Sequence, residues 1–155
     1  MSGVFIQKAL ASDAAAVAAI TYQTIQSVYP HYYPAGVVQF FLEHHDMMYI
    51  QNDIADGSVF LLSADDGKQV GTVTLCKNEI CRLFVLPEYQ GNGYGGMLID
   101  FAEERIRRQY ERAELHASLA AKGLYLKRGY YDRDFHQKET YNGDFICIDI
   151  MEKVL

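Results

Sequence analysis

The most informative part of the chain is Leu83-Phe84-Val85-Leu86-Pro87-Glu88-Tyr89-Gln90-Gly91-Asn92-Gly93-Tyr94-Gly95-Gly96, an apolar run that leads into a glycine-rich loop. Its last six residues include four glycines, which let a backbone turn sharply and approach a ligand closely. The first turn of a helix carries unpaired N–H groups and the positive end of the helix dipole. A strand, a glycine loop and a helix in this order therefore predict a phosphate-binding site.

The residues after the loop have the periodicity of a half-buried helix, predicted over about residues 93–109. Apolar side chains recur there at helical spacing, at Met97, Leu98, Phe101, Ala102 and Ile106. Charged side chains fall on the other side of the helix, and Pro87 separates the apolar run from the loop, because proline is poorly placed to continue a strand or a helix. The glycines therefore lie at the start of the helix.

The loop alone allows two other interpretations. Gly91-Asn92-Gly93-Tyr94-Gly95-Gly96 also matches the G-x-G-x-x-G pattern of dinucleotide-binding folds. That pattern normally opens a parallel sheet with an acidic residue about 20 positions later, for which Glu114 is the only candidate on an apolar stretch. The third interpretation is a tight turn that binds no ligand.

Two linked motifs favour one family. Gln90-Gly91-Asn92-Gly93-Tyr94-Gly95 resembles the Q/R-x-x-G-x-G/A signature of the GNAT superfamily of N-acyltransferases. Ala121-Lys122-Gly123-Leu124-Tyr125-Leu126-Lys127-Arg128-Gly129-Tyr130 is similar to the family's A-x-x-x-Y-x-x-x-G-F/Y segment, and the two motifs lie in the family's order. The resemblance covers residues 70–130 and implies an acetyl-CoA-dependent N-acetyltransferase that uses acetyl-CoA as co-substrate.

The same resemblance implies a mixed α/β fold, with a central, mostly antiparallel twisted sheet of about six or seven strands, about four flanking helices and a strand splayed before the phosphate loop. The length of 155 residues is that of one domain, spanning residues 1–155. Turn signals at Asp65-Asp66-Gly67 and Asn142-Gly143 predict two hairpins. Strands are predicted over 4–10, 59–63, 69–76, 79–86, 113–117, 131–136 and 145–152, and helices over 13–28, 34–45, 47–55, 93–109 and 120–128.

The family's mode of cofactor binding assigns roles to particular positions. Backbone N–H groups of the glycine loop are expected to bind the pyrophosphate, and the backbone of the strand before it pairs with the pantetheine arm. Ser118 stands where the family often has asparagine, and its hydroxyl reaches less far. The expected cofactor-binding residues are Leu83, Phe84, Val85, Gln90, Gly91, Asn92, Gly93, Tyr94, Gly95, Gly96 and Ser118.

Acetyl transfer to an amine also requires a proton acceptor. A lysine-like amine has a pKa of about 10.4, so at pH 7 only about one molecule in 2,500 is neutral. Glu79, followed by Ile80, is similar in position to the catalytic base of the histone-acetyltransferase branch of the family. The alternative is that Glu79 is a solvated side chain at a hairpin turn. A chain of water molecules would then be the proton acceptor.

The leaving thiolate of coenzyme A requires stabilisation, and Tyr125 matches the family's general-acid tyrosine. A hydrogen bond from a phenol that tightens in the transition state would supply it. The alternative is a core aromatic side chain that packs with Leu124 and Leu126 on an amphipathic helix. No cysteine or serine has the setting of a covalent nucleophile, which favours direct attack by the amine.

The acceptor site is expected in a tyrosine-rich region. These residues either line a small-molecule pocket or form an aromatic layer over the sheet. In His44-His45-Asp46, adjacent histidines on a helix point about 100 degrees apart, so we expect a solvated helix end and no metal site. The tyrosine-rich region in which we expect the acceptor site contains Tyr22, Tyr29, His31, Tyr32 and Tyr33.

Composition narrows the partners and the location. A net charge of −6 disfavours general nucleic-acid binding, and no apolar run is long enough to span a membrane. Cys76, Cys81 and Cys147 fit no zinc pattern and are expected to be buried, reduced thiols of a cytoplasmic protein. The expected partner is a small-molecule or peptide amine, and a homodimer is compatible with the resemblance. Two other functions stay open: a coenzyme A-binding sensor without turnover, and a dinucleotide-dependent oxidoreductase.

Overall fold

The computed structural model describes residues 3–155 and is built around seven β-strands. Numbered in chain order, the strands are β1 (Phe5–Lys8), β2 (Val59–Ser63), β3 (Gln69–Cys76), β4 (Glu79–Val85), β5 (Arg112–Ala117), β6 (Tyr131–Glu139) and β7 (Phe145–Val154). They form one sheet in the order β1-β2-β3-β4-β5-β7-β6. Every neighbouring pair is antiparallel except β4 and β5, which excludes the parallel sheet that the dinucleotide interpretation requires.

Residues 3–155 contain five α-helices, which are α1 (Ala14–Val28), α2 (Ala35–His44), α3 (Met47–Ala55), α4 (Tyr94–Arg107) and α5 (Lys122–Lys127). Helix α4 contacts β3, β4 and β5, and α1 contacts β3 and β4. The central strands are therefore covered by helices and bury most of their side chains, as in β2, where all five residues are buried. The predicted fold class, a mixed α/β fold with a mostly antiparallel sheet, is confirmed.

The predicted splay of the strand before the loop is also confirmed. Strand β4 pairs with β5 only at Glu79–Glu114 and Ile80–Leu115, whereas on its other side it pairs with β3 as far as Val85. Beyond Ile80 the two parallel strands separate, and the gap between them opens toward the glycine loop. Backbone groups on this side of β4 therefore have no strand to pair with.

A β-bulge lies at the point where the splay begins. Arg82 pairs with Thr74 and Ile80 pairs with Leu75, so Cys81 is an extra residue on β4. A bulge bends a strand and redirects its side chains. Here it directs Arg82 and Phe84 toward the α1–α3 side of the sheet, where Arg82 bonds Asp53 and Phe84 packs against Tyr29.

Two expectations about burial and membranes can be compared with the structure. The prediction of buried thiols is wrong, because Cys76 and Cys147 are exposed and Cys81 is half-buried. Cys76 lies beside the β3–β4 turn, and Cys147 lies on the part of β7 that pairs with β6 but not with β5. Within residues 3–155, every helix falls short of the length or apolarity that a bilayer span requires.

Candidate active site

The splay between β4 and β5 opens into a cavity of about 410 Å³. One end is formed by the glycine loop and the start of α4, and the other by α1, α2 and the beginning of β4. Every expected cofactor-binding residue lines this cavity except Asn92. The expected members of the lining are Leu83, Phe84, Val85, Gln90, Gly91, Gly93, Tyr94, Gly95, Gly96, Ser118 and Tyr125.

The open edge of β4 presents backbone groups to the cavity. The Leu86 N–H donates to the Val70 carbonyl oxygen at 2.8 Å, and bonding to β3 alternates along the strand. The peptide groups of Leu83 and Val85 therefore turn away from β3, toward the gap. The Val85 carbonyl oxygen accepts hydrogen bonds from the Thr24 hydroxyl at 3.2 Å and from the Gln90 amide at 2.9 Å.

The glycine loop depends on two left-handed backbone conformations. Gly91 has φ 84° and Gly93 has φ 83°, values that other residues rarely adopt. The Asn92 side chain donates to the Tyr89 carbonyl oxygen at 2.9 Å, so it holds the turn together rather than facing the cavity. This bond explains why Asn92 is absent from the lining.

Helix α4 begins directly at the loop and leaves donors for an anion. Its first intrahelical bond runs from the Met97 N–H to the Gly93 carbonyl oxygen at 3.1 Å. The N–H groups of Tyr94, Gly95 and Gly96 therefore have no partner within the helix. Together with the helix dipole they present free donors and a partial positive charge, which is the geometry that the predicted phosphate cradle requires.

A guanidinium group stands beside this cradle. The Arg128 Nη1 atom is 3.1 Å from the position that a Cβ on Gly96 would occupy. The same side chain forms an ion pair with Asp100 on α4, and its Nε atom is buried without a hydrogen-bond partner. A larger residue at position 96 would displace this guanidinium from the helix start.

Tyr125 is buried in the middle of the cavity wall. It is only 6% exposed, and its ring packs edge-on against Tyr130 with centroids 5.8 Å apart. Burial raises the pKa of the Tyr125 phenol well above its ordinary value of 10, with a smaller contribution from Tyr29. The hydroxyl therefore stays protonated at neutral pH and can only donate a proton or a hydrogen bond to an anion beside it.

Ser118 lies between the cofactor end of the cavity and the aromatic side chains. Burial raises the pKa of Tyr29 to about 12, and a hydrogen bond with Ser118 offsets part of this rise. The Tyr33 hydroxyl accepts a hydrogen bond from the Leu119 N–H at 2.7 Å, which holds the segment after β5 against α1 and α2. Ser118 is thus placed by contacts on both sides.

Glu79 is one side chain away from the cavity. It is half-buried and does not line the cavity, but its carboxylate accepts a hydrogen bond from the Cys81 thiol at 3.5 Å, and Cys81 does line it. Burial raises the pKa of that thiol, and Cys76 and Glu79 raise it further. Cys81 is therefore protonated, and the Glu79 carboxylate faces a neutral donor.

The tyrosine-rich region divides between the two expected roles. Tyr29 lines the cavity and contacts Phe41 edge-on at 4.8 Å, so it belongs to the pocket and to the aromatic layer. Tyr33 is buried in the layer, whereas Tyr32 and His31 are exposed. Tyr22 is half-buried and outside the lining.

His45 was not expected to belong to the site. The expectation of a solvated helix end is wrong for this residue, which is buried after the last turn of α2 and packs edge-on against Phe84 at 5.7 Å. Burial, with the charge of Arg82 acting in the same direction, lowers the pKa of His45 to about 3. The imidazole is therefore neutral. The sequence alone gave no sign of this, because His45 and Phe84 are far apart in the chain and come into contact only in the folded protein.

Arg82 is a second residue that sequence reasoning missed. It is 4% exposed, lines the cavity, and bonds Asp53 at 3.2 Å and the Thr74 hydroxyl at 2.8 Å. An arginine in the middle of an otherwise apolar strand was the signal that could have drawn attention to it. Phe41 and the exposed His116 also line the cavity and carry no motif.

The sequence profile described as Acetyltransferase (GNAT) domain matches residues 28–154. No protein with a curated description matches the chain.

Many solved structures share the fold. A GCN5-related N-acetyltransferase from Rhodopseudomonas palustris is 26% identical with a TM-score of 0.88, over 100% of this chain and 98% of that one. The PaiA N-acetyltransferase of Thermoplasma acidophilum, solved with coenzyme A, is 21% identical with a TM-score of 0.73, over 99% of both chains. YncA of Salmonella typhimurium, a putative acetyltransferase solved with acetyl-CoA, is 15% identical with a TM-score of 0.72, over 99% of this chain and 95% of that one.

The profile spans most of the chain, and the structure supplies the splayed strand, the glycine loop and the helix start that the sequence motifs imply. The chain therefore belongs to the GNAT acetyltransferase family.

Proposed function

We propose that this protein transfers the acetyl group of acetyl-CoA to a primary amine by direct attack, and that residues 1–155 form one such domain. The observation that carries the proposal is the continuity of one cavity from the glycine loop, along the open edge of β4, to Tyr125. A coenzyme A-binding sensor would need the glycine loop and the open edge of β4, but not Tyr125. The buried tyrosine beside the open strand favours an enzyme.

The cofactor is held by backbone groups at two places. The N–H groups of the loop and of Tyr94, Gly95 and Gly96 bind the pyrophosphate, and Arg128 adds positive charge beside them. The pantetheine arm takes the place of the missing strand, and its amides bond the peptide groups of Leu83 and the N–H of Val85, whose carbonyl oxygen already accepts two hydrogen bonds. Ser118 contributes a hydroxyl on the opposite wall.

The reaction then needs one bond to form and one to break. The neutral amine attacks the thioester carbonyl carbon, the C–N bond forms, and the C–S bond breaks to release the coenzyme A thiolate. A thiol has a pKa of about 8.5, well below that of a buried tyrosine, so full proton transfer from Tyr125 is uphill. Tyr125 therefore stabilises the thiolate through a hydrogen bond that strengthens as the negative charge develops.

The proton lost by the amine goes to Glu79. The carboxylate lies behind Cys81 at the acceptor end of the cavity, so the proton reaches it through solvent. Its contact with a protonated thiol leaves the second carboxylate oxygen to accept the proton. The acceptor is a small-molecule or peptide amine.

The first test is calorimetric titration with acetyl-CoA, with NAD as the control ligand, followed by addition of primary amines while free thiol is measured. Acetyl-CoA binding without NAD binding, and thiol release that requires one class of amine, would support the proposal. Binding without release for any amine would leave the sensor. Failure to bind acetyl-CoA would contradict the assignment of the loop.

A further inference from the structure

The acceptor end of the cavity has an aromatic lining that is already assembled. Tyr29 contacts Phe41 at 4.8 Å and Phe84 at 6.2 Å between ring centroids, and His45 packs edge-on against Phe84. Val28, at the end of α1, adds an aliphatic side chain to this wall. Such walls bind the apolar part of a substrate by burying its surface and matching its shape. The rigid rings lose little conformational entropy when the substrate binds.

The lining contains no carboxylate among the residues that the structure describes. Three carboxylates, on α3, β5 and β4, each face another partner. Asp53 forms an ion pair with Arg82, Glu114 forms one with Arg133, and Glu79 accepts from the Cys81 thiol. A polyamine or a lysine side chain in this pocket would thus meet no carboxylate in direct contact with its cationic group.

The charged side chain that lines the acceptor end is a cation. Arg82 lines it, and the Arg82 charge acts with burial to hold the pKa of His45 at about 3. Burial also lowers the pKa of His44 on α2, with Lys138, Arg82 and His116 acting in the same direction and Glu79 against it. An ammonium group bound beside His45 would experience the same burial and the same cation, and both disfavour it.

We infer that the acceptor is a weakly basic amine on an aromatic or aliphatic body, of which the α-amine of a peptide or amino acid amide with an apolar first side chain is the chemical type. This inference rests on the proposed acetyl transfer and narrows its substrate class. The pocket selects the neutral amine by excluding the charged one, and the aromatic wall contacts the apolar part of the substrate. Glu79 then takes the proton that the amine nitrogen loses once the C–N bond has formed.

The size of the effect follows from basicity. An α-amine has a pKa of about 7.7–8.0 and a lysine-like amine about 10.4, so at pH 7 the neutral share of the α-amine is about 300-fold larger. Exclusion of the charged form makes kcat/KM follow this ratio, because the enzyme then acts on the neutral amine alone. The apolar body contributes separately, through contact with Phe41 and Tyr29.

The test is steady-state thiol release at pH 7 with saturating acetyl-CoA and four amines, corrected for the reaction without enzyme. They are phenylalanine amide, glycine amide, 3-phenylpropylamine and spermidine. Comparison with glycine amide tests the apolar side chain, and comparison with 3-phenylpropylamine tests the basicity of the amine. We expect kcat/KM for phenylalanine amide to exceed that for glycine amide and for 3-phenylpropylamine by at least tenfold, and that for spermidine by at least a hundredfold. Spermidine or glycine amide reacting as well as phenylalanine amide would overturn the inference and leave acetyl transfer intact.

Two matched variants locate the effect. Phe41→Leu trims the ring that lines the cavity, whereas Phe40→Leu trims its neighbour on α2, which stacks on His44 and does not line the cavity. Phe41→Leu should lower kcat/KM for phenylalanine amide about tenfold more than for glycine amide, and Phe40→Leu should change neither.

Val28→Phe, which fills the pocket without opening a void, should also lower kcat/KM for phenylalanine amide more than for glycine amide. Equal losses for both amides in Phe41→Leu and in Val28→Phe would contradict the assigned pocket. No thiol release with any of the four amines, although acetyl-CoA binds, would contradict the proposed transfer, and the inference would fall with it.

Discussion

The Gln90 side-chain amide donates a hydrogen bond to the Val85 carbonyl oxygen at 2.9 Å. This bond joins the residue that opens the glycine loop to the last residue of the splayed strand. The same oxygen accepts from Thr24 on α1, so one carbonyl links the loop, the strand and the first helix. The phosphate cradle and the open edge of β4 are therefore held in a fixed relation.

Removing this bond should weaken cofactor binding without unfolding the protein. A neutral hydrogen bond contributes about 1 kcal/mol, so Gln90→Ala is expected to raise the Kd for coenzyme A about fivefold. Gln26→Ala, on the exposed side of α1, is the matched control and should leave the Kd unchanged. Calorimetric titration measures both, and an unchanged Kd for Gln90→Ala would show that the loop holds its position without the bond.

Tyr125→Phe should lower kcat far more than it changes the affinity for coenzyme A. The ring and its contact with Tyr130 remain, and only the hydroxyl beside the thiolate is lost, so we expect a loss of kcat of about 100-fold or more. Tyr130→Phe is the control, because its hydroxyl donates to Glu103 at 3.0 Å and lies outside the cavity lining.

The control variant should lose about 1–3 kcal/mol of unfolding free energy and keep its kcat. Thiol release and urea unfolding distinguish the two tyrosines. Equal losses of kcat and of cofactor affinity in Tyr125→Phe would contradict a role for this hydroxyl in the chemical step.

Glu79→Gln should lower kcat about 100-fold and leave coenzyme A binding unchanged, since a general base contributes about that much and the side chain does not line the cavity. Glu88→Gln, an exposed glutamate before the loop, is the matched control. The measurement is the pH dependence of kcat/KM for the amine. If Glu79→Gln keeps the kcat of the unchanged protein at every pH, solvent is the proton acceptor.

His45 should make the stability of the fold sensitive to acid. Its folded pKa of about 3 lies below the ordinary histidine value of 6.5, so the unfolded chain binds the proton more readily. The stabilisation is complete above pH 6.5 and is lost as the pH falls through about 3, with a slope of at most about 1.4 kcal/mol per pH unit.

Urea unfolding between pH 7 and pH 4 measures this slope. His45→Gln should flatten it, whereas His31→Gln, at an exposed position, should leave it as it is. A slope that stays the same in His45→Gln would mean that the imidazole is not kept neutral by the fold.

Local pattern determined much of this protein. The hairpin signals, the helical periodicity after the loop and the two motifs are readable within about ten residues each, because turn geometry and amphipathicity are local properties. They predicted the order of strands and helices, a phosphate-binding loop and Tyr125 as a candidate catalytic residue. Membership of the family follows from the same residues.

The acceptor site was decided by tertiary structure. His45 is neutral and Arg82 is buried because α2, α3 and β4 meet there, and burial and charge act through space between residues far apart in the chain. For the same reason Glu79 lies behind Cys81 instead of in the cavity wall, since the bulge in β4 and its pairing with β3 set where each side chain points. Motifs therefore predicted the cofactor-binding loop, whereas the residues from which we infer the type of amine were brought together only by packing.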